Sequence, residues 1–264
     1  MVVLCFTLTL LAQLVLPAHT FHNSNSSDQD ALLAFKNSLS LDPSNSLREW
    51  SPNYNFCSWA GVGCSSCRPR VTSLTLTGMG LVGPISPFQV DLSFLTVLDL
   101  FNNSFQGQIP PQLGRLFRLR SLRLSFNQLE GVIPSALADC PLDKLGLSYN
   151  KLEGLIPSSL GGCHSLQILI LSSNNLSGNI PYELGHLQKL EILWLDSNQL
   201  TGIIPPFFGN MSSLSQLTLG NNRLHESVPV ELGRLTRLQV LTLRLNTLTG
   251  PIPIALSKCT NLQI

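Results

Sequence analysis

Charge is scarce in this chain. Of its 264 residues only 12% are charged, and 16 lysines and arginines nearly balance 15 aspartates and glutamates, which leaves a formal net charge of +1. Surfaces that bind nucleic acid or acidic membranes concentrate basic residues. The composition therefore gives no electrostatic reason to expect either partner.

Catalytic motifs are also missing. The sequence has no glycine-rich phosphate loop and neither the H-R-D nor the D-F-G signature of a protein kinase. The five histidines are scattered, and none has a nucleophile at the spacing of a catalytic motif; they are His19, His22, His164, His186 and His225. We therefore predict no catalytic residue, no metal and no cofactor, and we do not expect this chain to be an enzyme.

An asparagine that returns at a nearly fixed interval is the strongest positive feature. Its successive members are separated by 24, 23, 24, 24, 24 and 24 residues. A period of this length over more than half of a chain predicts a stack of similar units. The members are Asn103, Asn127, Asn150, Asn174, Asn198, Asn222 and Asn246, and Met79 stands one period before the first.

Each asparagine lies in the same pattern, L-x-x-L-x-L-x-x-N-x-L-x-G-x-I-P. Leu98 and Leu100 precede Asn103, for example, and Gly107 and Pro110 follow it. Alternating leucines predict a short strand with one buried face. The asparagine amide can bond to backbone groups at the following turn, the glycine allows a tight bend, and the proline ends the strand. Later leucines of each unit are expected to face the core from the convex side.

One unit buries too little apolar surface to hold itself in order, so neighbouring units must cover each other in a one-dimensional solenoid. The pattern resembles the plant-type leucine-rich repeat family, in which G-x-I-P is the distinguishing stretch. The match runs from Leu74 to Ile264 and covers eight repeats and the start of a ninth. The resemblance implies an α/β solenoid, namely a right-handed leucine-rich-repeat superhelix with a parallel concave β-sheet and an N-terminal helical cap.

Departures from the repeat are local. Ser86 replaces the proline of the first repeat, and Glu226 replaces the glycine of the seventh. The fourth repeat is one residue short near Cys140, so we expect its convex turn to be tighter. None of these changes is expected to break the stack.

Two segments precede the repeat domain, which we place at residues 71–264. Residues 1–20 contain no Asp, Glu, Lys or Arg and are almost wholly apolar. They are typical of a secretory signal peptide, and an uncleaved membrane anchor is the alternative. Residues 21–70 resemble the N-terminal cap of plant receptor ectodomains, with an amphipathic helix for which Ser27 is the expected N-cap. Such a cap would cover the exposed leucine face of the first repeat.

Four of the seven cysteines are explained by the predicted signal peptide or by the repeat pattern. Cys5 lies in the predicted signal peptide. Cys140, Cys163 and Cys259 share a repeat position that elsewhere holds leucine or methionine. They are expected to be buried apolar residues, without a redox or metal-binding role.

The other three cysteines belong to the cap. In an oxidising compartment, Cys57 and Cys64 would form the disulfide that the resemblance to this cap implies. Cys67 either competes with Cys64 for Cys57 or stays a free thiol. A zinc site built from these three cysteines is a remote alternative, because no nearby histidine supplies a fourth ligand.

Four N-x-S sequons occur, at Asn25, Asn102, Asn175 and Asn210. Behind a signal peptide they are predicted glycosylation sites, and unmodified loop residues are the alternative. Asn102 borders the concave face, so a glycan there would restrict part of that surface.

Residues that flank the buried strand leucines are free of the repeat pattern and should face the concave side. Aromatic residues and arginine dominate binding hot spots, and charged groups set orientation, although single exposed aromatics are common on any surface. We place Arg244 in the column between the two strand leucines, and the next column continues at Leu245 after a one-residue shift in the last repeat. The candidate ligand or partner contacts are Asp99, Phe101, Arg123, Phe126, Tyr149, Ile170, Trp194, Asp196 and Arg244.

The expected ligand is extended, because eight strands about 4.8 Å apart make a sheet about 34 Å long, which accommodates a peptide of roughly ten residues. The resemblance implies an extracellular recognition module of a plant receptor-like protein or receptor kinase. It would sense a peptide or protein in defence or development, and a co-receptor ectodomain is a further expected partner. The start of the cap is most similar to the immune-receptor branch.

Two other functions fit the same repeat. The first is a secreted inhibitor of cell-wall-degrading enzymes, similar to the polygalacturonase-inhibiting proteins, and the second is a co-receptor ectodomain. All three place the chain outside the cell, either secreted or at the extracellular face of the plasma membrane. Membrane attachment would come only from a span downstream of these residues, and any kinase would also lie outside them.

Overall fold

The first element in the described residues is a helix of the N-terminal segment. A computed structural model of the protein describes residues 24–67, 69–87 and 91–263, so the predicted signal peptide lies outside the described residues. Helix α1 (Ser24–Ser38) starts three residues before Ser27. The prediction of Ser27 as its N-cap was therefore wrong. The neighbouring Asp28, which we expected to favour the helix start, is fully buried and bonds to the strand at Val71 instead.

The concave side is one nine-stranded sheet. Its first pair is an antiparallel hairpin from the cap into the first repeat, and every later pair is parallel. Leucines lie opposite leucines throughout, as Leu98 does with Leu122. In order along the solenoid, the strands are β1 (Val62–Cys64), β2 (Val71–Thr75), β4 (Val97–Asp99), β6 (Ser121–Arg123), β8 (Lys144–Gly146), β10 (Ile168–Ile170), β12 (Ile192–Trp194), β14 (Gln216–Thr218) and β16 (Val240–Thr242).

A second parallel sheet follows the asparagines, and the sequence pattern did not predict it. It is interrupted between β13 and β15, where only the isolated bridge between Ile203 and His225 remains. β15 pairs with β17, and the concave sheet continues unbroken. The strands are β3 (Val82–Pro84), β5 (Ser104–Gln108), β7 (Gln128–Val132), β9 (Lys151–Leu155), β11 (Asn175–Asn179) and β13 (Gln199–Thr201), with β15 (His225–Glu226) and β17 (Thr247–Leu248) forming the separate pair.

Short 3-10 helices form the convex side. Each of these 3-10 helices in the repeats directly follows a proline. The proline has an extended backbone conformation, and its ring fixes φ. The fourth repeat lacks one residue just after its helix. There the Leu142 N–H bonds to the Cys140 carbonyl two residues back, at 2.8 Å, whereas in the preceding repeat the Leu119 N–H bonds to the Leu116 carbonyl three residues back. This shorter bonded turn is the tighter turn that we expected. The helices are Phe56–Ser58 in the cap and Pro111–Arg115, Ser135–Asp139, Ser158–Gly162, Tyr182–His186, Pro206–Asn210, Val230–Arg234 and Ile254–Lys258.

The leucines and asparagines tie each repeat to its neighbour. The strand leucines are buried in one continuous core. Asn174 donates from Nδ2 to the carbonyls of Leu147 and Leu171, at 3.0 and 3.1 Å, and its Oδ1 accepts from the Leu152 N–H at 3.0 Å. The other six asparagines make the same bonds to the preceding repeat. The predicted solenoid of stacked repeats is confirmed.

The cap is fixed to the repeats by a buried ion pair. Asp28 on α1 binds Arg70 through both carboxylate oxygens, at 2.9 and 3.0 Å, and also accepts from the Val71 N–H at 2.8 Å. Phe35 of the same helix packs on Trp50 and on Phe105, a core residue of the second repeat. The helix therefore covers the open leucine face, as the resemblance implies.

The expected disulfide joins Cys57 to Cys64. It leaves Cys67 as a free, exposed thiol and removes the alternative zinc site, which needed all three sulfurs. In the described ranges no group of histidine, cysteine and carboxylate residues could hold a metal ion. Cys140, Cys163 and Cys259 are buried in the core, as predicted.

Candidate ligand-binding groove

The candidate residues fall into columns that run across the concave strands. The column between the strand leucines contains Asp99, Arg123, Gly146, Ile170 and Trp194, whose Cα atoms are successive register partners. This register continues through Thr218. The whole column therefore projects from the same face of the sheet.

The placement of Arg244 in that column was wrong. Thr218 pairs with Thr242, so the last repeat has no shift, and Arg244 belongs to the next column. The sequence allowed both registers because Leu241, Leu243 and Leu245 alternate. In the structure Leu245 is 69% exposed and is not a strand leucine.

All nine candidates nevertheless line one groove. Its volume is about 790 Å³, and its lining extends from β4 to β16. Seven strands about 4.8 Å apart span about 29 Å, which matches an extended peptide of roughly nine residues. Four other concavities on the described residues are smaller, with volumes of about 380 to 540 Å³.

Asp99 differs from the other candidates because its side chain is almost fully buried. Its carboxylate accepts from Arg123 Nη1 at 2.6 Å and from the Phe101 N–H at 3.0 Å. The Arg123 guanidinium in turn lies 5.0 Å from the centre of the Phe101 ring. Asp99 therefore orients Arg123, and the half-exposed arginine is the group available to a ligand.

An aromatic ridge borders the groove, and we use this name for Phe101, Phe126 and Tyr149. Phe126 packs edge-on against Phe101, with ring centroids 5.2 Å apart, and stacks on Tyr149 at 4.2 Å. Such pairs contribute about 0.5–1.5 kcal/mol beyond the burial of their area. Phe126 and Tyr149 are still 42% and 52% exposed, so the ridge offers its faces to solvent.

The backbone under the ridge is strained. The residue before each repeat asparagine has positive φ, and most repeats place asparagine or serine there, as with Asn102 and Ser173. Phe126 and Tyr149 adopt φ of 59° and 53° at the same position. Bulky residues are rare in this conformation, because the Cβ atom crowds the following carbonyl. Outliers of this kind concentrate at functional sites.

The other end of the groove is polar. Asp196 Oδ1 accepts hydrogen bonds from the hydroxyls of Ser172 and Thr218, at 2.7 and 2.6 Å. Trp194 donates from Nε1 to Gln216 Oε1 at 3.1 Å, which holds the indole across neighbouring strands. Both side chains are partly exposed, so they remain able to contact a ligand.

One column of the groove escaped the sequence prediction. Val97, Ser121, Lys144 and Ile168 lie in the column before the first strand leucine, and all four line the groove. The column was predictable, because side chains two residues apart on a strand share a face. The columns from which we chose the candidate residues all follow that leucine.

The sequons lie at the surface where their side chains are described. Asn102, Asn175 and Asn210 are exposed, and Asn102 has φ 55° beside the groove. The side chain of Asn25 lies outside the described residues. Glycosylation of the four asparagines remains a prediction.

Burial makes two core thiols weak acids. It raises the pKa of Cys140 and of Cys163 to about 11, and nearby negative charge acts in the same direction. The thiolate is the reactive form, so neither cysteine is a nucleophile at neutral pH.

Comparison with known families decides the classification. The leucine rich repeat N-terminal domain matches residues 25–65, and leucine rich repeats match residues 94–116 and 117–248, the latter being half of the chain. This chain is a leucine-rich-repeat protein. No helix in the described ranges is both long and apolar enough to span a membrane.

The leucine-rich-repeat protein is similar to plant receptor kinases. It is 46% identical to the LRR receptor-like serine/threonine-protein kinase EFR of Arabidopsis thaliana over 114 residues, which are 43% of this chain and 11% of that protein. The chain thus spans about a tenth of the length of this curated relative. The predicted resemblance to plant receptor ectodomains is confirmed.

Two solved ectodomains from Arabidopsis resemble it in structure. That of GASSHO1/SCHENGEN3, in complex with CASPARIAN STRIP INTEGRITY FACTOR 2, has a TM-score of 0.78 and 38% identity, over 89% of this chain and 32% of that one. That of HAESA, in complex with the peptide hormone IDA and the co-receptor SERK1, has a TM-score of 0.74 and 33% identity, over 90% of this chain and 44% of that one.

Proposed function

We propose that this chain is an extracellular recognition module that binds an extended peptide, or an extended segment of a protein, in its concave groove. The receptors that it resembles in structure are seen with a peptide hormone and a co-receptor. By analogy, the whole protein would act as a receptor at the cell surface and recruit a co-receptor ectodomain. These residues would contribute recognition, and not catalysis.

The aromatic ridge is the observation that carries the proposal. Two stacked aromatic residues occupy a backbone position that favours asparagine or glycine, and they expose large faces beside a groove of peptide length. Folding alone does not require them, because Ser173 and Ser197 fill the same position in later repeats. Exposed aromatics that are held rigidly are the usual anchors of a binding site.

Panning of randomised ten-residue peptides tests the proposal. Phage-displayed peptides would be selected on the immobilised chain, and binding of the enriched sequences would then be measured with purified variants. Phe126→Ala and Tyr149→Ala should each weaken binding by roughly thirtyfold, the effect of losing a hot spot worth about 2 kcal/mol.

Matched controls exist on the convex side. Phe117 and Tyr182 are 73% and 69% exposed and lie outside the groove. Phe117→Ala and Tyr182→Ala should leave binding unchanged. Equal losses from both pairs, or no enrichment of any peptide by the wild-type chain, would refute the proposal.

A further inference from the structure

One side chain is missing from the central row of the groove. Arg123, Gly146 and Ile170 are register partners on three successive strands, and Trp194 follows on the next. Gly146 is therefore flanked by large side chains in this row. Strands are about 4.8 Å apart, so the gap between the backbones of β6 and β10 is about 10 Å, room for one inserted side chain.

The backbone does not require a glycine at this position. Gly146 lies in β8 and is not in the left-handed region, where glycine is favoured. A Cβ atom built on it would meet one neighbour within 4 Å, Ser125 Oγ at 3.3 Å. A glycine weakens a strand, and within a sheet it often marks the close approach of a ligand.

The floor around Gly146 is lined by small residues whose polar groups are engaged. Ser125, Ser148 and Ser172 are buried. Ser125 Oγ accepts from the Ser148 N–H at 3.0 Å, and Ser172 donates to Asp196 at 2.7 Å. The hydroxyls of Ser125 and Ser172 are thus already paired. The floor therefore makes the groove deeper at this point but offers a ligand few free hydrogen-bonding groups.

The walls of this depression are apolar on the β10 side and toward Tyr149, whereas Arg123 lies on the β6 side. Tyr149 of the aromatic ridge borders the groove on one side of the strands. Ile168 and Ile170 lie on the neighbouring strand, β10, and line the groove. An aliphatic or aromatic side chain that entered here would exchange water for apolar contacts.

The columns on either side of the central row carry charges of opposite sign, with Lys144 before the first strand leucine and Asp196 after the second. Lys144 is exposed at the fourth repeat and forms no ion pair with any described residue, whereas Arg123 is already paired with Asp99. Asp196 lies two repeats further along. Lys144 is two residues from Gly146 on β8, so its side chain starts about 7 Å from the depression.

We propose that the gap at Gly146 is a pocket for one apolar side chain of the bound peptide, and that Lys144 selects an acidic residue within two positions of it. This inference rests on the proposed function. A peptide along the groove crosses the strands, whereas Lys144 is offset from the pocket along β8. The lysine would therefore lie at the edge of the peptide beside the pocket, where its long side chain can reach an acidic residue next to the apolar one.

Filling the pocket tests the inference. Peptides enriched on the wild-type chain from the randomised library would be measured on Gly146→Leu, Lys144→Glu and Gly162→Leu. Gly162 is the matched control, because it lies on the convex side, is exposed and has open space around a Cβ atom. Gly146→Leu should weaken binding by at least about tenfold, a typical penalty for obstructing an apolar pocket, while Gly162→Leu should not change it.

Lys144→Glu tests the choice of acidic residue. Peptides enriched on the wild-type chain should carry Asp or Glu within two positions of an apolar residue, and panning on Lys144→Glu should lose that enrichment. The melting temperatures of all variants check folding. Gly146→Ala should weaken binding to a smaller extent, and it keeps the test decisive if the leucine variant melts early.

The possible outcomes separate the two proposals. If the wild-type chain enriches peptides and Gly146→Leu binds them within twofold, the pocket is refuted while the recognition function stands. If Gly146→Leu loses binding but the acidic preference is unchanged in Lys144→Glu, the role of Lys144 is refuted. If the wild-type chain enriches nothing, the proposed function fails and the pocket with it.

Discussion

Each repeat has a frame, by which we mean its strand leucines and its asparagine, and a concave column of side chains between those leucines. The frame is uniform from repeat to repeat, whereas the column varies. In the frame, every asparagine from Asn103 to Asn246 makes the same backbone bonds to the repeat before it. In the column between those leucines the side chains differ widely, and Asp99, Gly146 and Trp194 occupy equivalent positions. Because one unit is repeated eight times, positions that keep the same residue are those that folding requires. Positions that vary are those that folding leaves free for another role.

Bonding partners show the same contrast. Asn174 bonds to main-chain atoms, which are present whatever the neighbouring sequence is. Arg123 and Asp196 bond to side chains in adjacent repeats, so their geometry depends on particular neighbours. Substitutions in the frame should therefore lower stability, and substitutions in the columns should alter binding.

The largest effect on stability is expected at the cap. Asp28→Ala would leave Arg70 buried without its partner and the Val71 N–H unpaired. Removing one member of a buried pair costs about 3–5 kcal/mol, so we expect the free energy of unfolding to fall by about 4 kcal/mol. Urea denaturation followed by circular dichroism measures it.

The exposed pair of Arg48 and Glu49 is the control for that prediction, since both side chains are largely exposed. Glu49→Ala should change stability by less than about 0.5 kcal/mol. Similar losses in the two variants would show that the cap is not held by Asp28.

The frame gives the next largest effect, at two adjacent asparagines. Asn174 is buried with its amide fully bonded, whereas Asn175 is exposed. Asn174→Ala removes several bonds and leaves buried backbone groups unpaired, so it should cost about 3 kcal/mol in urea denaturation. Asn175→Ala should stay within about 0.5 kcal/mol, and a cost like that of Asn174→Ala would contradict the assignment of the frame.

A smaller effect of opposite sign is expected at Glu226. This residue has φ 63° at a position where other repeats have glycine, and Gly107 has φ 76° there. Glu226→Gly should raise the free energy of unfolding by about 1 kcal/mol, because glycine adopts positive φ without steric cost. Thermal and urea denaturation both measure this change.

Gly107→Ala is the reverse test. Nothing lies within 4 Å of a Cβ atom at Gly107, so the substitution isolates the backbone term from any clash. It should lower stability by about 1 kcal/mol. No change in either variant would mean that positive φ is not a source of strain in these turns.

The last prediction leaves stability untouched and concerns the thiols. With a pKa of about 11, Cys140 and Cys163 are thiolates in about one molecule in a thousand at pH 8, and the fraction rises only as the pH approaches that value. Iodoacetamide at pH 8 should therefore label Cys67 in the folded chain and the core cysteines only after unfolding. Peptide mass spectrometry identifies the labelled sites, and rapid labelling of Cys140 would contradict its burial.

The sequence predicted the frame well because the repeat supplies eight versions of one pattern. The strand leucines, the asparagine bonds and the buried Cys163 all follow from repeat position. The second sheet was missed because its strands contain glycine and polar residues, which lack an alternating pattern. Asp28 was misinterpreted because its partner Arg70 is distant in sequence, and a single sequence does not pair them.

The candidate groove was predictable only in outline. Column positions follow from the leucines, so the residues that line the groove could be chosen, apart from the register error at Arg244. The ion pair that buries Asp99, the stacking of Phe126 on Tyr149 and the gap at Gly146 depend on distances between repeats. Those distances require coordinates.

Photo-crosslinking tests most directly whether the variable columns form the binding surface. A peptide enriched on the wild-type chain would carry benzoylphenylalanine at successive positions, and mass spectrometry would identify the residues it attaches to. We expect crosslinks to Phe126, Tyr149, Ile170 and Trp194. Crosslinks concentrated on the convex residues Phe117 and Tyr182 would contradict the account.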